Sequence, residues 1–414
     1  MQVRLASWKK TLYIVWLTQF IAISGGGLVF PFLPLYIKEL GVESTSSQAL
    51  YAGLSNMTFG IAMFVFSPIW GALADRYGRK KMLLRSYFAA TIIMTMPAFV
   101  TNVEQFLGVR LLQGAFTGTV PAAASLIAAS TPPEHVAYAM GLLQVALSIA
   151  GTAGPLIGGF LADAVGLKAS FIVCGAAFGF GGLLLLFGVK EDFVRPAIVR
   201  GPWEGFVADI KEAASSRSVM TMVGFLFLVN GSLAFARPII PLFVDLLDPA
   251  SGGIKESGYA FAALAVTSIF AALAVGNLGS RFGPKKLLVI TLAGASLAYM
   301  PVATAGSIAM LIFAMGVLGL FSGGSVPAAN ALLSINSPSD KQGSAFGLAG
   351  SGNALAMAIM PLLGGLVAAS LGIRAVFLVL GVMTLVISAL AAVLVPDRRQ
   401  PQPITAAAAD LTSG

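Results

Sequence analysis

Apolar residues run along this chain in long unbroken blocks, punctuated by short polar or charged clusters. Runs of about 18 or more apolar residues are long enough to cross the hydrocarbon core of a bilayer as helices. They do not alternate between apolar and polar positions, as the strands of a membrane barrel do. Twelve such runs stand near 11–37, 49–74, 82–101, 104–129, 137–162, 168–189, 218–244, 257–280, 286–305, 308–335, 343–369 and 372–395. The stretch 190–217 between the sixth and seventh is polar. Within it, Trp203, Phe206, Val207, Ile210 and Ala214 recur at helical spacing, and Glu204, Asp209, Lys211 and Glu212 fall mostly off that stripe. This pattern predicts a short amphipathic helix on the membrane surface. The tail 397–414 is rich in Ala, Pro and polar residues and is expected to be disordered.

Composition agrees with this pattern. Of 414 residues, 57% are hydrophobic and 10% charged, whereas soluble domains carry about 25% charged residues. The class is therefore an all-α membrane protein. The 47 glycines suit helices that approach one another closely. The net charge of +8 would suggest nucleic acid in a soluble protein, but here topology explains it. With both termini inside, 19 of the 25 Lys and Arg residues fall on inner segments. Four (Lys38, Lys168, Lys255 and Arg374) flank the outer ends, and Arg110 and Arg237 lie within spans. This positive-inside bias predicts cytoplasmic termini in a cytoplasmic (inner) membrane and no nucleic-acid partner. The basic N-terminus leads into a span too long for a signal peptide, so it is expected to stay attached. Cys174, the one cysteine, lies in an apolar run and reads as an inert thiol. No nucleotide-binding loop, metal-ligand cluster or nucleophile constellation is visible. An enzyme, an ATP-driven pump and a cofactor are not expected.

The chain repeats itself. Pro31-Phe32-Leu33-Pro34-Leu35 matches Pro238-Ile239-Ile240-Pro241-Leu242 at an offset of 207. Gly71-x-Leu73-x-x-Arg76-x-Gly78-x-Lys80-Lys81 matches Gly276-x-Leu278-x-x-Arg281-x-Gly283-x-Lys285-Lys286 at 205. Val120-Pro121-Ala122-Ala123 matches Val326-Pro327-Ala328-Ala329, and Pro155-x-x-Gly158-Gly159 matches Pro361-x-x-Gly364-Gly365, both at 206. Four ordered matches at nearly constant offset indicate duplicated halves related by an axis along the membrane normal. The expected organisation is an N-terminal six-helix bundle over 1–190, a cytoplasmic linker over 191–217, a C-terminal six-helix bundle over 218–396 and the tail over 397–414.

Several of these segments resemble a known family. Gly71-Ala72-Leu73-Ala74-Asp75-Arg76-Tyr77-Gly78-Arg79-Lys80-Lys81 resembles the signature between spans two and three of the major facilitator superfamily. Arg110-Leu111-Leu112-Gln113-Gly114 resembles its span-four motif. Gly154-Pro155-Leu156-Ile157-Gly158-Gly159 resembles the motif typical of its drug/proton antiporters. The Pro31–Tyr36 segment, echoed by Arg237–Phe243, is similar to the MdtG-like bacterial multidrug efflux group. The resemblance implies the major facilitator fold: twelve transmembrane helices in two pseudo-symmetric six-helix bundles. It also implies alternating access, small amphipathic substrates, protons as the coupling ion and a monomer. The expected function is export of drugs or toxic compounds in exchange for protons. The alternatives are a dedicated exporter of one metabolite or lipid, and a non-transporting receptor on the same fold.

Few side chains are equipped for the mechanism. Asp75 sits at the C-terminal end of span two, where the helix dipole disfavours a carboxylate without a partner. Arg76, Arg79 or the positive N-terminus of another helix could pair with it; the resemblance implies the last, near Gly343, as a gate with Gly71 and Gly78 shaping the turn. Ser280 replaces Asp75 in the second half. Ala146, Ala150, Gly154, Gly158 and Ala162 give span five one thin face around Pro155, suited to a seam between the halves. Arg110, with Gln113 one turn on, is either a cavity cation or a structural donor to carbonyls. Arg237 and Asp245 read equally as cavity groups or as an outer gate. Gln19, Asn56, Asn230 and Asn353 either contact substrate or join helices. No acid falls securely in mid-span. Glu104, Asp163 and Asp245 are proton carriers only if an outer vestibule reaches them, and Asp75 only from the inside.

Overall fold

A computed structural model describes residues 2–191, 207, 216–249, 253–337 and 342–395. The expected surface helix at 203–214 and the tail 397–414 lie outside these residues, apart from Val207. Among the described residues the chain is helical and has no strand. Twelve helical segments are long and apolar enough to span a membrane: Trp8–Glu39, Thr45–Ala74, Arg79–Phe99, Val103–Ser130, Tyr138–Val165, Leu167–Gly188, Arg217–Leu247, Ile254–Val275, Pro284–Ala303, Ile308–Asn336, Leu348–Leu371 and Ile373–Leu394. They are spans one to twelve below. With an even number of crossings, both ends of the chain emerge on one face, the terminus side; the opposite face is the far side.

The packing repeats as the sequence does. In the first half, span one packs on spans five and six, span two on four, and span three on six. In the second half, span seven packs on eleven, eight on ten, and nine on twelve. The halves meet where span two packs on span eleven and span five on span eight. These contacts lie toward the far side: Gly53 abuts Leu362, Gly60 abuts Ala358, Gly365 abuts Ala49, and Gly159 abuts Gly258. Toward the terminus side Ile61 and Val65 are exposed, and a Cβ added to Gly71, Gly151 or Gly350 would meet nothing within 4 Å. The halves therefore part toward the termini.

Three spans are broken. Span one leaves the helix after Gly27, passes through a short 3-10 turn at Phe30–Phe32 and resumes at Leu33–Glu39. Span seven does the same between Phe235 and Ile240. Pro31, Pro34, Pro238 and Pro241 supply no amide hydrogen, so regular helix cannot continue through them. Shorter-range bonds take over, such as the Ile239 amide donating to the Ala236 carbonyl at 2.9 Å. Span four, expected from sequence as one helix, is broken as well. Thr117 is extended and Gly118 has φ +124°, a value that glycine adopts without strain.

The thin face of span five is buried throughout, but it is not one seam between halves. Gly154 and Gly158 press on Gly27 and Leu28 of span one, inside the first half, whereas Gly159, beside that face, meets Gly258 of the other half. The second half divides the same work between Gly364, against Phe235, and Gly365, against Ala49. A Cβ on Gly158 would lie 2.5 Å from the Leu28 Cα, and backbone cannot give way there. Gly158→Leu is expected to cost about 3 kcal/mol or more, seen as a lowered thermal midpoint in detergent. Gly151→Leu, two turns nearer the termini and facing open space, is expected to fold like the parent.

Candidate functional site

The candidate residues fall into four separate places. The first is the charged loop after span two. Its helix ends at Tyr77, Gly78 turns the chain with φ +103°, and the next helix starts at Arg79. The side chain of Asp75 and the surroundings of Gly343 lie outside the described part. Gly71 is exposed, and Arg76 lies over the Tyr77 ring at 5.4 Å. An acid not singled out in the sequence binds this loop. Glu191 Oε1 accepts from the Arg79 amide and Oε2 from the Lys80 amide, both at 2.9 Å. Lys80 Nζ donates to the Leu186 carbonyl at 3.0 Å. A carboxylate on exposed amides at a helix N-terminus satisfies donors that no carbonyl of that helix can reach, and the helix dipole favours it. Span three is thereby tied to the end of span six. Beside the loop, Arg85 stacks over Trp70 at 3.4 Å, and both line a cavity of about 230 Å³ within the first half.

The second place gathers Arg110, Gln113 and Asn56. Arg110 is 3% exposed. Its Nε donates to the Ser55 carbonyl at 3.2 Å, Nη1 to Gln113 Oε1 at 2.7 Å and Nη2 to Asn56 Oδ1 at 3.1 Å. The guanidinium also stands 5.2 Å from the Phe30 ring and 4.8 Å from Phe59. A planar, delocalised cation accepts such neutral oxygens and ring faces better than an ammonium does. Of its three acceptors, one is a backbone carbonyl and two are side chains. Gln19 stands apart: its Nε2 donates to the Tyr87 hydroxyl at 3.1 Å and the Thr119 carbonyl at 3.3 Å, joining spans one, three and four.

The third place is a cavity of about 430 Å³ on the inner face of the second half, within the range of pockets for drug-sized molecules. Arg237, Asn230 and Asn353 line it, and span five closes it with Gly151 and Pro155. Arg237 sits in the break of span seven. Apolar and aromatic groups fill most of the wall, Phe261, Tyr299 and Phe377 among them. Asn230 Nδ2 donates to the Leu226 carbonyl at 2.9 Å. None of the lining residues is acidic.

The fourth place is the far-side mouth. Lys38 Nζ meets Asp245 Oδ2 at 2.7 Å, with side chains 49% and 17% exposed. Their separation of 207 is the offset of the Pro31 and Pro238 motifs, so symmetry-equivalent positions meet across the pseudo-twofold axis. Asp245 is thus a partner of Lys38 and not a cavity group. Phe32 and Phe261 pack edge-on near the same axis, 6.5 Å between centroids. Glu104 and Asp163 are exposed. Glu256, passed over in the sequence, has one carboxylate oxygen that is buried without a hydrogen-bond partner.

The Glu191 cap gives a stability test. Glu191→Ala is expected to cost about 1–2 kcal/mol and Glu191→Gln about half of that, measured by thermal unfolding of the purified protein.

Comparison with known proteins completes the picture. The model of the Major Facilitator Superfamily matches residues 15–252 and again 239–413, following the internal repeat. The chain is 34% identical to the multi-drug resistance efflux pump PmrA of Streptococcus pneumoniae over 376 residues, covering 90% of this chain and 92% of the relative. It is 34% identical to the multidrug resistance protein MdtG of Klebsiella pneumoniae over 381 residues, covering 90% of each. In structure it is similar to the nucleoside transporter NupG, with a TM-score of 0.74 at 15% identity, over 92% of this chain and 98% of that one. Twelve spans, a duplicated architecture and these matches make the chain a multi-pass membrane transporter that belongs to the Major Facilitator Superfamily.

Proposed function

We propose that this transporter exports amphipathic drugs or toxic compounds in exchange for protons, by rocking its two halves around the cavity that Arg237 lines. The observation that carries the reading is that cavity: apolar and aromatic walls, a few dispersed polar groups, and a place between repeats that touch on one side only. A wall of this kind grips varied molecules through contact area and selects weakly by hydrogen bonding. The efflux names of the relatives support the same reading. The distribution of Lys and Arg puts the termini in the cytoplasm, so the halves part toward the cytoplasm and are closed outside. All the walls come from one chain, so a monomer suffices.

In this scheme Lys38 and Asp245 form an outer latch. Its partners are replaced by water and by other contacts when the outside opens. An ion pair this exposed contributes at most about 1 kcal/mol, a factor of about five in the balance of states. The charged loop works at the other face, with Asp75 closing the inside when the halves swing.

Whole-cell dye efflux with and without an uncoupler tests the function. Efflux that stops with the uncoupler is expected; uncoupler-insensitive efflux removes proton drive, and absence of efflux for any dye favours a dedicated carrier or a receptor. Asp75→Asn is expected to insert normally and lose most transport, and full transport removes the gating role. Glu256→Gln is the first variant in which to look for efflux uncoupled from protons. For the latch, Asp245→Lys is expected to raise the outward-open population up to about fivefold. Spin labels at Glu43→Cys and Ser370→Cys report it, and the exchange Lys38→Asp with Asp245→Lys should restore the parent distance distribution.

A further inference from the structure

Arg110 and Arg237 both lie away from the ends of their spans, and the protein treats them differently. Arg110 has three oxygen acceptors and two ring faces. Arg237 has no hydrogen bond, ion pair or ring contact among the described residues; its side chain is exposed and lines the cavity. The acid nearest in sequence, Asp245, is taken by Lys38. A cation at membrane depth is costly unless water or a partner meets it. Arg237 also stands where the chain is not helical, at the Pro238 break, and broken helices at matching places in the two halves mark substrate sites in such folds. Its equivalent at offset 207 is Phe30, near whose ring Arg110 stands, so the first half has no cation at the matching break.

We propose that this cavity selects compact amphipathic organic anions, the Arg237 guanidinium pairing with their carboxylate or equivalent acid. The inference rests on the efflux reading above and names its substrate class. A bidentate carboxylate fits the guanidinium fork. The apolar body would lie against Phe261, Tyr299 and Phe377, with the Asn230 and Asn353 amides serving other polar atoms. At about 430 Å³ the space suits a drug-sized molecule and not a diacyl phospholipid. With one fixed cation and no acid on the wall, cations of the same shape are disfavoured.

Fluorescein and rhodamine 123 share a three-ring core and differ in charge, which makes them matched probes. Binding to the purified full chain in neutral detergent at pH 8 is followed by fluorescence anisotropy. Fluorescein is expected to bind about tenfold tighter than rhodamine 123, and Arg237→Gln to remove that preference by weakening fluorescein alone. Fluorescein should also protect Arg237 of the unaltered protein from phenylglyoxal, read by peptide mass spectrometry, and rhodamine 123 should not. This second measurement needs no variant to fold. Tighter binding of rhodamine 123, equal loss of both dyes in Arg237→Gln, or no protection by fluorescein overturns the anion selectivity and leaves the efflux reading standing. Binding of neither dye overturns both.

Discussion

The bilayer offers no water to a backbone amide or carbonyl, so each segment that crosses it must satisfy its own hydrogen bonds. That constraint turns nearly all of this chain into helix and gives each exception a meaning. Spans one and seven break at paired prolines, and span four breaks at Gly118. The breaks of spans one and seven are lined by protein: Val29 and Phe32 of span one and Ile239 and Phe243 of span seven are fully or almost fully buried. Irregular backbone survives at this depth because neighbouring helices and a cavity, not lipid, surround it. Arg237 stands at such a break.

With apolar lipid on every side, burial of apolar surface does little to hold helices together, and closeness of approach does more. The glycines of spans five and eleven show how the work is divided. Gly158 and its counterpart Gly364 bring helices together inside a half, while Gly159 and Gly365, one residue on, bring the halves together. One helix thus belongs to a rigid bundle on one face and to a separable contact on the next. The repeat is not perfect. Where the first half has Gly154 against the backbone of span one, the second has Met360 packed on Gly231. A small-for-large exchange on facing helices preserves the volume.

Charge is handled with equal economy. Glu191 caps the start of span three, Lys38 and Asp245 join the halves at the far-side mouth, and Arg110 is clothed in neutral acceptors. Each of these satisfies a group that would otherwise be left bare. Arg237 contrasts with Arg110: among the described residues nothing accepts a hydrogen bond from it, and it faces a cavity of about 430 Å³.

The spans, their number, the duplication and the family were legible in the sequence. Crossing about 30 Å of hydrocarbon demands long apolar runs, and a fused repeat leaves a constant offset. The break in span four was not, although Gly118 and Pro121 were in plain view, because either residue is tolerated within an unbroken membrane helix. Lys38 and Asp245 were legible as equivalents from their offset of 207, but not as partners. Equivalent residues touch only if they lie close to the axis, and helix tilt decides that. Arg110 and Arg237 are alike in sequence, each a lone cation in an apolar run. Only the tertiary structure separates them: span two brings Ser55 and Asn56, more than fifty residues away in sequence, to one, and no element among the described residues brings an acceptor to the other. Hydrophobicity along the chain determined which segments cross the membrane; the helix packing decided which charges find partners and which stand open to a cavity.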